Sequence, residues 1–217
     1  MVDYAAARAT MVENQLRPNR IDEPRLLQAM TDVPRERFVP ESLHGCAYGD
    51  EDLALGNGRF LIEPLALGKL LQTADARRQD IVLLLGDTTG YVAAILSRLA
   101  GSVFVLLPPG LPPGPVQARL SGLDTDNVAL VTGLASEGLP SRAPFDLILL
   151  AGSVPTIPPA LLNQLGDSGR LVAVVEHGRS GKVTLARKVN GAIGRLTPFD
   201  AQVHRLSGLP AEPAFSF

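Results

Sequence analysis

The segment Ile81–Leu99 (IVLLLGDTTGYVAAILSRL) has the layout of a nucleotide-binding turn. Five apolar residues run into Gly86, the polar turn Asp87-Thr88-Thr89 follows, and Gly90 opens a stretch of helical character. Small residues at such a turn let the backbone approach a cofactor closely, so the chemistry served would be the holding of a nucleoside-bearing ligand. Thr88 stands where such a cradle usually has another glycine. A β-branched residue fits poorly there if φ has to be positive. Asp87 either reaches a ligand from the turn or caps the helix behind it.

Other reactive side chains form no recognisable set. His44, His177 and His204 are far apart and lack metal-ligand spacing, so no metal site is expected. Cys46 is the single cysteine and is expected as a buried or half-buried thiol rather than a nucleophile. Glu176-His177 follows an apolar run, at the kind of strand end where ligands gather in open α/β sheets, and either lines a pocket or belongs to a loop. Arg59 either pairs with an anion or is an exposed loop residue.

The bulk composition bounds what these residues can serve. The chain has 217 residues, 46% hydrophobic and 19% charged, with a net charge of −2. That suffices for a sizeable core and argues against disorder. Acids and bases are interspersed without a basic stripe, so no nucleic-acid partner is expected. The first residues carry Asp3, Arg8, Glu13 and Arg17, which is not the pattern of a signal peptide. No stretch of about 18 apolar residues exists, so no membrane span is expected. A cytoplasmic protein is the simplest expectation.

The elements that must position the turn can be read from the hydrophobic rhythm. Residues 1–32 read as helical, with Pro18 ending one run and Asp22 capping a second that turns Leu26, Leu27 and Met30 to one face. The segment Val33–Pro40 is a proline-bounded connector, and residues 41–63 read as loop. Pro64 starts a helix to about Ala74. Continuous apolar runs then recur at Ile81–Leu85, Val103–Leu107, Val128–Val131, Asp146–Leu150 and Leu171–Val175, as buried parallel strands do. Helices are expected between them at Gly90–Leu99, Val116–Leu123 and Pro159–Leu165. Asn190-Gly191 between two strand-like runs predicts a closing antiparallel hairpin. The fold class expected is a doubly wound, mostly parallel α/β sheet of the methyltransferase type, with that hairpin at its end and a helical extension at its start. It is read as one domain over 1–217, with residues 1–78 as extension and 79–217 as Rossmann-like core.

The stretches MVENQLRP, IDEPRLLQAMTDVPRERFVP and AYGDEDLALGNGR resemble the protein-L-isoaspartate O-methyltransferases. Later stretches fit as well: GYVAAILSRLAG, LDTDNVALVTG and APFDLILLAGSVPTIPPALLNQLGDSGRLV. The resemblance covers Met11 to about Val203. It implies S-adenosylmethionine as cofactor, and protein or peptide substrates whose isoaspartyl carboxylates are esterified.

It also implies site positions, and many carry unexpected residues here. The cofactor turn keeps Gly86 and Gly90 but has Asp87 and Thr88 between them. The family's acid two residues before that turn is Leu84, its ribose-binding acid is Leu107, and its Asp-Gly pair near the adenine is Leu134-Ala135. The acceptor segment, Thr-Ile-Ser-Gln-Pro in the family, reads Phe60 to Pro64 as FLIEP, so Phe60 and Ile62 replace both hydroxyls and Glu63 replaces the amide. Pro108, Pro109, Pro112, Pro113 and Pro115 follow the second strand, where the first turns of a helix are not expected to form on them. Polar acceptors have become apolar, which predicts weak or absent methyl transfer. The alternatives are a pseudo-methyltransferase that serves as scaffold or interaction module for an unidentified protein partner, or a different ligand in the same cleft.

Overall fold

In a computed structural model, residues 2–178, 180–206 and 209 are described. The apolar tail Ala211–Phe217 lies outside them. The chain opens with helix α1 (Tyr4–Met11), capped by the Asp3 carboxylate, which accepts from the Ala6 N–H at 3.0 Å. The helical path continues as a π-turn over Val12–Leu16 and a 3-10 turn over Arg17–Asn19, where Pro18 stops it. Helix α2 (Pro24–Asp32) buries Leu26, Leu27 and Met30 as its spacing predicts. Its cap is Glu23 rather than Asp22, because Pro24 takes the first helical position.

Residues 41–63, expected as loop, contain more order than that. A 3-10 segment covers Glu41–Cys46, and an antiparallel hairpin joins β1 (Leu53–Gly56) to β2 (Arg59–Leu61). Asn57 and Gly58 make its turn, with φ of 53° and 67°. Helix α3 (Pro64–Ala74) follows at its expected bounds.

The sheet contains β3 (Ile81–Leu85), β4 (Ser102–Leu107), β5 (Val128–Thr132), β6 (Phe145–Val154), β7 (Leu165–His177), β8 (Ser180–Val189) and β9 (Ala192–Leu196). Its order is β5-β4-β3-β6-β7-β8-β9. The first five pair in parallel, while β8 and β9 are antiparallel. Asn190 and Gly191 have φ of 50° and 78°, the turn that the Asn-Gly pair predicts. Helices α4 (Tyr91–Leu96), α5 (Pro113–Leu120) and α6 (Pro159–Asn163) connect the parallel strands.

The proline run does form a helical start, contrary to expectation. Pro113 occupies the first turn of α5. N–H groups of a first turn have no intrahelical acceptor, so a proline there forfeits no hydrogen bond.

The central strands are apolar on both faces and divide their side chains between two cores. Val82, Leu84, Val103, Val105 and Leu107 pack with the N-terminal helices. Leu83, Leu85, Leu106, Ile148 and Leu150 pack with Leu161 on the opposite face. Each fully buried Leu or Val contributes about 1.5–3 kcal/mol. Arg170 ties α3 to the sheet: its guanidinium pairs with Asp80 at 2.6 Å and donates to the Ala74 carbonyl at 2.5 Å, both residues being buried.

Candidate functional site

Strand order reverses between β3 and β6: the chain leaves β3 toward β4 and β5, then returns to the other side. Open α/β sheets bind ligands in the crevice beyond the carboxyl ends of strands at such a point. A cleft lies there, lined by Gly86, Thr88, Leu106, Pro108, Leu134 and Ala151 from the sheet side and by Arg59, Phe60 and Ile62 from the hairpin side.

The turn after β3 is shaped as a cradle. Gly86 and Gly90 have φ of 88° and 93°, which only glycine adopts cheaply. Thr88 keeps a negative φ, so its β-branch is not strained. Its side chain is buried, and its hydroxyl has no hydrogen-bond partner. Asp87 points inward and is 4% exposed. Its Oδ1 accepts from the Thr89 N–H, the Thr89 hydroxyl and the Gly90 N–H, and its Oδ2 accepts from the Ala93 N–H at 2.8 Å. Both oxygens are thus engaged in capping α4, and the capping alternative holds for this residue.

The other implied cofactor positions separate into two groups. Leu84 and Leu107 are fully buried in the core and do not line this cleft. Leu134 lines the cleft and is 45% exposed. So Gly86, Thr88, Leu134, Arg59, Phe60 and Ile62 come together, while Asp87, Gly90, Leu84 and Leu107 stand behind the wall.

The acceptor loop is held from below by Arg35, a residue whose role has no local sequence signal beyond its proline-bounded setting. Arg35 is fully buried and donates to the carbonyls of Ala47 (2.6 Å) and Ile62 (2.7 Å), and its guanidinium lies over the Tyr91 ring at 5.0 Å. Burial pulls its pKa below the ordinary value. Arg35 therefore links the loop that faces the cleft to the helix that follows the cofactor turn. Glu63, at the end of that loop, has its carboxyl pushed up by burial and then by Asp50 and Asp52.

The C-terminal segment closes the cleft. Ser153 N–H donates to the His204 carbonyl at 2.9 Å and Leu206 N–H to the Ser153 carbonyl at 2.8 Å, so the segment adds to the edge of β6 beyond the end of β3. Leu206 packs over Gly86, where a Cβ would meet its Cδ1 at 2.9 Å. His204 stacks on Phe60 and lies 2.6 Å from the Asp52 carboxylate. Arg205 donates to both oxygens of Glu176, which also accepts from the Ser153 hydroxyl. The space left in the cleft is about 60 Å³. That holds a handful of waters, where ligand pockets span roughly 300–1,000 Å³. Of the sequence candidates, Glu176 borders a separate groove of about 240 Å³ behind this segment, and His177 is not among its lining. Cys46 is exposed rather than buried. Among the described residues no three His, Cys, Asp or Glu side chains gather as metal ligands, and no helix is long and apolar enough to cross a membrane.

Comparison with known proteins adds a lineage to this geometry. The family model for protein-L-isoaspartate(D-aspartate) O-methyltransferase matches residues 7–197. A protein-L-isoaspartate O-methyltransferase of Koribacter versatilis is 36% identical over 208 residues, covering 96% of this chain and 94% of that protein. One from Methylorubrum extorquens is 40% identical over 185 residues, covering 85% and 80%. Among solved structures, a protein-L-isoaspartate O-methyltransferase superposes with a TM-score of 0.81 at 20% identity, over 93% of this chain and 66% of that one. A putative one from Plasmodium falciparum, in complex with S-adenosyl-L-homocysteine, superposes with a TM-score of 0.78 at 18% identity, over 96% and 100%. At those identities the structural likeness speaks for the fold.

Proposed function

The chain belongs to the protein-L-isoaspartate(D-aspartate) O-methyltransferase family, and from that premise we propose that its cleft does not serve efficient transfer from S-adenosylmethionine and that the protein acts as a binding member of the family. The observation that carries this reading is the state of the polar groups a nucleoside cofactor needs. The one carboxylate of the turn, Asp87, has both oxygens occupied by the α4 cap. Leu107 and Leu84 offer no acceptor and face the core. Leu134-Ala135 present hydrocarbon to the cleft.

The residues present do not fit the cofactor. A hydrogen bond to a charged group is worth about 1.5–3 kcal/mol, so loss of the ribose acceptor alone weakens binding by roughly ten- to a hundredfold. Charge opposes the ligand too. S-adenosylmethionine carries a sulfonium cation, and no carboxylate lines the cleft, whereas Arg59 does; Arg205 also lines it but is paired with Glu176.

The acceptor side points the same way. An isoaspartyl carboxylate is already a nucleophile and needs donors, alignment and exclusion of water, not a general base. Phe60 and Ile62 donate nothing, Glu63 is not among the cleft lining, and Arg59 is the cation of the loop that is.

Calorimetric titration with S-adenosylmethionine and S-adenosylhomocysteine up to millimolar tests the reading, followed by methylation of an isoaspartyl peptide. Expected are no saturable heat below millimolar and no ester formed. Micromolar binding, or turnover of the peptide, would overturn it and return the protein to the catalytic members.

A further inference from the structure

A larger groove opens beside the closed cleft and shares Arg59, Thr88, Pro108, Pro109 and Leu134 with it. Its volume is about 730 Å³, within the roughly 300–1,000 Å³ that ligand sites span. Its floor and walls are built by the proline run and by Leu111, Val116 and Leu134. The groove is therefore built in large part on the proline run that follows β4.

Two cations border it. Arg59 makes one weak hydrogen bond, from its Nε to the Gly56 carbonyl at 3.4 Å. Arg119 forms no ion pair among the described residues. Both are half-buried, and no Asp or Glu side chain lines the groove. An arginine that is half-buried without a carboxylate is an anion site in waiting, since its fork pairs two oxygens at once. The third observation is Thr88, whose side chain borders both cleft and groove and whose buried hydroxyl has no partner. Buried hydroxyls almost always have a partner, so one without any calls for a group that supplies it.

We propose that this groove binds an organic monophosphate with an apolar body. The phosphate sits on Arg59 and Arg119, the body lies along Pro108, Pro109 and Leu134, and the Thr88 hydroxyl donates to the ligand at the inner end. A cationic ligand is disfavoured by the two guanidinia. The lining offers a nucleoside few polar partners, Asn57 and Thr88 beside the two arginines. Inorganic phosphate alone leaves the apolar wall uncovered.

The proposal rests on the reading that S-adenosylmethionine does not hold the cleft, and its test keeps the two apart. The full chain is titrated calorimetrically with 1-naphthyl phosphate, 1-naphthol and inorganic phosphate, and separately with S-adenosylmethionine. Expected is naphthyl phosphate binding about tenfold or more tighter than either fragment, weakening with added salt. Arg59→Gln and Arg119→Gln should each lower that affinity about fivefold or more at unchanged melting temperature. Thr88→Val should lower it about threefold or more. Equal affinity for naphthol, indifference to salt, or unchanged affinity in both arginine variants would overturn the proposal. If naphthyl phosphate and S-adenosylmethionine both fail to bind, this proposal falls and the functional reading stands. If S-adenosylmethionine binds at micromolar strength and naphthyl phosphate does not, both fall.

Discussion

The imidazole of His204 lies flat on the ring of Phe60, 3.4 Å between ring centroids and 12° between planes. Phe60 stands where the family resemblance implies a hydroxyl-bearing acceptor residue. The ring that replaces the hydroxyl thus gives the C-terminal segment its landing place. Asp52 holds the imidazole from the hairpin side, at 2.6 Å from Nδ1.

Removal of that contact should release the segment over the cleft. A stacked ring pair contributes about 0.5–1.5 kcal/mol, and a side-chain hydrogen bond adds about 0.5–1.5 kcal/mol. His204→Ala should therefore speed hydrogen exchange at the Ser153 and Leu206 amides by about tenfold. Unchanged protection there would show that Leu206 and Arg205 hold the segment without His204.

Asp87 is a structural cap, and its replacement should register in stability. Asp87→Asn offers one acceptor oxygen to four donors and turns an amide N–H₂ against backbone N–H groups. The expected loss is about 1–3 kcal/mol in urea unfolding. A variant of wild-type stability would mean that the carboxylate does not carry the turn.

Restoring acids at the implied cofactor positions should separate the two groups of residues. Leu107→Glu places a carboxylate in the core, and the expected cost is about 3 kcal/mol or more. Leu134→Asp lies on the half-exposed cleft wall and should stay within about 1 kcal/mol of the parent. Calorimetric titration with S-adenosylhomocysteine should show no gain for Leu107→Glu. A gain there with retained stability would show that the missing acceptor at Leu107 is by itself what weakens the cofactor.

The pH dependence of Glu63 has a definite sign. Burial and then Asp50 and Asp52 raise its carboxyl above the ordinary value. Folding then favours the protonated form, so the contribution is most favourable in acid and is lost as pH rises through the unfolded value to the folded one. Glu63→Gln removes that loss. Because the side chain is largely solvated, the variant should gain less than about 1 kcal/mol near pH 7. The gain should vanish below the ordinary carboxylate range. Denaturant midpoints at the two pH values check this, and an equal gain at both would point to a cause other than charge.

Much of the fold was legible because local chemistry and tertiary need agree. Ile81–Leu85 is apolar at every position, so a strand buried on both faces is the natural reading. Pro64 and Asn190-Gly191 mark a helix start and a hairpin turn whatever surrounds them. The hairpin at Leu53–Leu61 was not legible, since its few residues gain strand character only from pairing with each other and packing on the core. Nor was the helical start on Pro113, where the pattern of prolines argues against a helix until their place in its first turn is known.

For the site, the sequence by itself determined the lineage, the cradle of Gly86 and Gly90, and apolar residues at Leu84, Leu107 and Leu134, where the resemblance implies acids. Only the tertiary structure decided which of these matter at the cleft. A strand apolar on both faces carries no sign of which side chains point where, so the core position of Leu107 could not be read from its spacing. Charge pairing is likewise a property of space. His204 meets Asp52 across 152 residues of chain, Arg205 is taken up by Glu176, and Arg59 and Arg119 line one acid-free groove because the hairpin and α5 converge there.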